Sequence, residues 1–201
     1  MRKFILFLLL ILFIINLKAD EYMIFIGNAY TYNDLFQEMS ESQFGIKYDD
    51  EKQIFYFYTQ DYINKGWIII SEENLIILRN VLNKYLEWEK KAIENKITIE
   101  KELPDSNITT KVIWEFGDEW YSSNNLKIKF TFFSQTENIH QLVISSNKTT
   151  SSSNEFINFK IDTLYLNKDQ IIEFLNGITD EEIKKRIDEI EQKKKIENLF
   201  D

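Results

Sequence analysis

A single histidine, His140, and no cysteine leave this chain a narrow choice of chemistry. Conventional nucleophile–base catalysis would have to run through that imidazole, through lysine or through carboxylates. A zinc site asks for three or four His, Cys or carboxylate ligands, and the usual ones are missing here. No metal and no cofactor is therefore expected. The five glycines stand far apart, so no phosphate-cradling loop is present in the sequence and nucleotide chemistry has no support.

The richest local constellation surrounds Gly117, where Glu115, Asp118 and Glu119 cluster with Trp114, Trp120 and Tyr121. Carboxylates can transfer protons or accept sugar hydroxyls, while aromatic rings stack on sugar faces, so this composition suits a glycan-binding or glycoside-cleaving cleft. Glu115, Asp118, Glu119 and His140 are thus the candidate catalytic residues, and Trp114, Trp120 and Tyr121 the candidate ligand-binding ones. Against this stands a plainer reading, an acidic turn flanked by core aromatics, because strands are enriched in aromatic residues anyway.

Other polar clusters say less. Asp49-Asp50-Glu51 lacks the alternating oxygen ligands, glycine and terminal Glu of an EF-hand loop, and reads as a solvated turn. Phe55-Tyr56-Phe57-Tyr58 reads as a strand buried on both faces before it reads as a ligand platform.

The elements that must position these residues follow from periodicity. Tyr22 to Ile26 forms a first strand, and Leu35, Phe36 and Met39 at helical spacing behind Asn33 predict a short helix over 31–39. Gly45–Tyr48, Ile54–Thr59 and Trp67–Ile70 are separated by turn-forming residues and read as a three-stranded meander. Ser71 caps a long helix to Lys96, with Leu75, Leu78, Leu82, Tyr85, Leu86 and Ile93 on one face and Ile76, Val81 and Trp88 widening the stripe. A stripe so broad needs a sheet as cover.

After Pro104 comes a second β region: Ile108–Phe116, Leu126–Ser134, Ile139–Ser145 and Phe156–Tyr165. A hairpin loop over 135–138 would set Ser134 against Ile139 and Phe133 against His140, leaving His140 on a face with Lys129, Thr131 and Leu142. In that register no acid is forced onto the imidazole, and packing on an aromatic ring explains it without catalysis. Asn167 with Gln170 starts one closing helix, which Gly177 ends, and Thr179 with Glu182 starts another over 179–201. That last helix carries acid-first pairs such as Glu182–Arg186 and few apolar residues, as a solvated helix docked along a thin seam would.

The N-terminus speaks to compartment. Arg2 and Lys3 precede an unbroken apolar run from Phe4 to Ile15, then Asn16-Leu17-Lys18-Ala19. As a helix the run rises only about 18 Å, short of a hydrocarbon core of roughly 30 Å. Residues 1–19 therefore read as a cleavable secretory signal peptide, and 20–201 as a single domain with no membrane span once the signal is removed. Cleavage takes three of the 24 basic residues and none of the 33 acidic ones, moving the net charge from −9 to about −12. Such a surface repels phosphate backbones, which excludes nucleic acid as a natural partner. One proline and much Ile, Asn and Lys resemble the usage of an AT-rich bacterial genome.

These readings combine into an exported, periplasmic or extracellular α+β protein: an antiparallel sheet of about six to eight strands packed by the long helix, with two C-terminal helices. Its expected role is a non-enzymatic binding or interaction module for a protein or glycan of the cell envelope. The alternative is a glycan-acting hydrolase using a carboxylate pair near Glu115.

Overall fold

The computed structural model describes residues 23–33, 37–48, 55–60 and 65–200. The leader and the acidic turn at Asp49–Glu51 lie outside the described residues. Four strands come first: β1 (Met23–Asn33), β2 (Glu38–Tyr48), β3 (Phe55–Gln60) and β4 (Lys65–Ile70). The long helix α1 (Glu72–Asn95) leads to β5 (Glu100–Glu102), β6 (Ile108–Phe116), β7 (Glu119–Thr136) and β8 (Ile139–Ser146). Short strands β9 (Thr149–Thr150), β10 (Asn158–Phe159) and β11 (Thr163–Leu166) precede α2 (Lys168–Gly177) and α3 (Asp180–Glu197). The class is α+β, with an antiparallel sheet packed by helices.

Of the helix expected over 31–39, Thr31–Asn33 and Glu38–Met39 are strand instead, and 34–36 lie outside the described residues. Thr31 pairs with Ser40 and Asn33 with Glu38, so these residues stand at the closing end of the β1–β2 ladder. Three apolar residues at helical spacing were too few to outweigh ladder pairing along eleven-residue strands. The meander is present as β2–β3–β4. The segment expected as one strand over 156–165 is instead two, β10 and β11, interrupted before Thr163.

Among the described residues the large sheet has nine strands in the order β5-β7-β6-β4-β3-β2-β1-β11-β8, and β7 pairs with β8 as well. That extra pairing closes eight of them into a ring. Strand β7 makes the closure possible because its two halves serve different neighbours. Glu119–Ile128 pairs with β6, while Ile128–Thr136 pairs with β8 and, over Thr131–Phe133, with β5. Two bulges bend it. Opposite Thr110–Val112 the strand spends an extra residue, leaving Asn124 and Asn125 both exposed between buried Ser123 and Leu126. A second extra residue falls between Ser134 and Thr136. Bulges of this kind increase local twist and bend the strand that carries them.

One face of the ring is apolar and holds the core. Ile68, Val112, Leu126, Phe130, Leu142, Ile144 and Leu164 are all buried there, together with Leu75, Leu78, Leu82 and Tyr85 of α1 and Ile171 and Phe174 of α2. The Tyr85 and Phe132 rings lie 5.5 Å apart, and Trp88 meets Phe132 edge-on at 5.9 Å. Each such side chain taken from water contributes about 1.5–3 kcal/mol. The expected stripe of α1 is narrower in fact: Ile76 and Ile93 are exposed.

Caps define the helices as their sequences require. Ser71 accepts from Asn74 N, and Asn167 and Gln170 form a complete capping box. Thr179 accepts from Glu182 N at 3.2 Å, and Glu182 pairs with Arg186 at 2.8 Å. Two polar ties hold the C-terminal helices to α1. Arg79 donates to the Ile178 carbonyl and reaches Asp180 at 2.6 Å, and the buried Glu89 carboxylate lies 2.9 Å from Lys168 Nζ. No described helix is long and apolar enough to cross a membrane.

Candidate functional site

The residues around Gly117 form the tip of the β6–β7 hairpin. Phe116 pairs with Glu119, leaving Gly117-Asp118 as a two-residue loop. Gly117 occupies the first loop position with φ of 64°, where a type II′ turn needs a residue free of Cβ strain. The turn is tighter than the sequence suggested, because β7 begins at Glu119 and not near Leu126.

Pairing across this hairpin decides which candidate residues can act together. Trp114 pairs with Tyr121, and Glu115 with Trp120. Directly opposed residues share a face, and neighbours along a strand take opposite faces. The candidate constellation is therefore split in two.

Trp114, Tyr121 and Glu119 take the inner side. Trp114 is fully buried, its ring 5.3 Å from Phe159 and 6.2 Å from Tyr121. Gly66 lies opposite Trp114 on β4, and a Cβ there would stand 2.6 Å from the Phe159 ring. Glycine thus makes room for the Trp114–Phe159 stack. The Trp114 indole N–H has no hydrogen-bond partner among the described residues. Tyr121 donates its hydroxyl to Glu119 at 2.5 Å, and that bond pushes the phenol above its ordinary pKa.

Glu115 and Trp120 take the outer side. Trp120 is 54% exposed, and Glu115 is half-buried. Its carboxylate makes no hydrogen bond or ion pair with the described residues. A third residue joins this face from β4. Trp67 pairs with Ile113, which in turn pairs with Ser122, so Trp67, Ile113, Glu115, Trp120 and Ser122 share one surface across β4, β6 and β7. Trp67 was absent from the sequence candidates; only the register of two strand pairs brings it beside Glu115. Asp118 is exposed in the turn between the faces.

His140 stands at the other end of β7. Ser134, not Phe133, is its cross-strand partner, because the bulge before Thr136 moves the ladder by one residue. A one-residue slip exchanges faces, so His140 lies beside Ser134 and Phe132 and not beside Lys129 and Thr131. The imidazole is buried and stacks on Phe132 at 5.6 Å. Its Nε2 lies 3.2 Å from the Glu137 carbonyl, which can only accept, so Nε2 carries the proton. Nδ1 then accepts from the Ser134 hydroxyl at 2.8 Å. The His140 carbonyl accepts from Tyr85 at 2.9 Å. Trp120 and Ser134 are separated along β7 by roughly 45 Å of strand path, so the histidine and the Gly117 constellation are not brought together.

Among the described residues no group of three or more His, Cys, Asp or Glu is placed to hold a metal ion. No family model matches the chain, and no curated protein or solved structure matches it, so the geometry around Glu115 and Trp120 carries the functional reading alone.

Proposed function

We propose that this protein is an exported, non-enzymatic binding module that engages a glycan of the cell envelope through the outer face of the β4–β6–β7 surface. The observation that carries this is the Glu115–Trp120 cross-strand pair with Trp67 on the same face. An exposed indole offers an apolar plane to the C–H face of a sugar ring, and a carboxylate beside it accepts from its hydroxyls. The apolar leader before Ala19 supports delivery beyond the cytoplasm.

Equilibrium binding of the exported protein to cell-envelope fractions tests the proposal. Saturable binding that falls at least tenfold in Trp120→Ala is expected, and absence of saturable binding to every fraction would rule it out.

One observation favours the hydrolytic alternative, namely that the Glu115 carboxylate is held half-buried beside an indole with no hydrogen bond or ion pair among the described residues. The register sends Glu119 to the opposite face, where Tyr121 engages it, so the second acid in that mechanism would be Asp118. Turnover of glycan substrates decides: activity abolished by Glu115→Gln would support it, and unaltered activity would remove that assignment.

A further inference from the structure

We infer that the ligand of this surface is an extended oligosaccharide without negative charge, contacted by Trp67 and Trp120 at two separate sugar units with Glu115 between them. The inference rests on the glycan-binding reading and specifies its ligand.

Two strand spacings separate β4 from β7, about 9.6 Å, and two residues of offset along the strands add roughly 6.6 Å, because Trp67 is level with Ser122 while Trp120 is level with Glu115. The two indoles therefore stand about 12 Å apart at their backbone positions. A single pyranose ring is too small to lie on both, whereas a linear chain of a few units can. Glu115 lies on β6, the strand between the two tryptophans, where the hydroxyls of an intervening unit would reach it.

Charge restricts the chemistry further. Glu115, Asp118 and Glu119 sit within one hairpin tip, on a chain of net charge −9 before any cleavage. This field opposes uronic-acid, sulfated and phosphate-linked polymers and leaves neutral or amino-sugar chains. Binding of an uncharged chain should also be nearly independent of salt, since no counterions are released.

The test is a titration of the exported protein with N-acetylglucosamine, its linear tetramer and polygalacturonate, followed by tryptophan fluorescence and calorimetry. The tetramer is expected to bind at least tenfold tighter than the monomer, and polygalacturonate not to bind. Trp67→Ala and Trp120→Ala should each weaken the tetramer about five- to tenfold, as loss of one stacking contact implies, and leave monomer binding at the intact indole. Trp67→Tyr keeps a ring at the half-buried position and should retain most of the affinity, which separates stacking from folding damage. Equal affinity for monomer and tetramer, or tighter binding of polygalacturonate, overturns this inference while leaving a binding module. Tetramer affinity unmoved by both alanine variants overturns the placement of the ligand on this surface as well. Failure of every sugar probe together with every envelope fraction sinks the parent proposal.

Discussion

At the residue scale, buried polar groups explain where this protein should be sensitive. Tyr85 is buried, with its hydroxyl donating to the His140 carbonyl, and burial together with the Glu89 charge pushes the phenol well above its ordinary value of 10.0. The folded state thus holds the proton more tightly than the unfolded chain does. Stability from this group is fully present below pH 10, and falls as pH rises beyond it, because only the unfolded chain can ionise there. Tyr85→Phe should cost about 1 kcal/mol at neutral pH and flatten the decline in stability above pH 10, read by denaturant melts across pH. An unchanged alkaline slope would assign that decline to other groups. Gly66 is the second sensitive position. Gly66→Ala must displace the Phe159 ring from its stack on Trp114, and a cost of about 1–3 kcal/mol is expected. A melting temperature equal to the parent protein's would show that the ring moves freely.

At the element scale, the boundaries that local chemistry controls were legible and those set by distant pairing were not. Ser71, Asn167 with Gln170, and Thr179 each cap the helix that their side chains announce, since a cap needs only a hydroxyl or amide two or three residues from an orphan N–H. Asn167→Ala should therefore destabilise α2 by about 1 kcal/mol in thermal melts, with Asn167→Asp close to neutral. A loss as large for Asp as for Ala would contradict the capping role. The stretch over 31–39 misled because its spacing satisfies a helix while Thr31–Asn33 find ladder partners in Glu38–Ser40. His140 was assigned the wrong neighbours for a related reason: a bulge of one residue carries no strong sequence mark, yet it turns every side chain after it. The candidate site was legible in part. Glu115 and Trp120 are close enough in sequence for a hairpin to imply their pairing, whereas Trp67 enters through β4–β6 pairing that no local pattern encodes.

At the scale of the whole molecule, β7 is the member on which closure depends. It is hydrogen-bonded to β6, β8 and β5 in turn, and at Ile128 to both β6 and β8. Its central amides can be released only by opening both neighbours, so Ile128 to Phe132 should be among the slowest to exchange with solvent deuterium, whereas the last turns of α3, exposed on nearly every side, should exchange early. Exchange in the opposite order would mean that the ring opens while the terminal helix stays formed. The closed ring also bears on how other chains can approach. Recruitment of a peptide by strand addition requires a vacant row of backbone donors and acceptors. Among the described residues each ring strand is paired on both sides over part of its length, β1 with β11 over Tyr30–Tyr32, and the strand left outside the ring, β5, is the three-residue, fully charged Glu100-Lys101-Glu102. A short charged border discourages extension by a foreign strand. Growth of the sheet at that border is accordingly opposed twice, by how few backbone groups it offers and by the charge it carries.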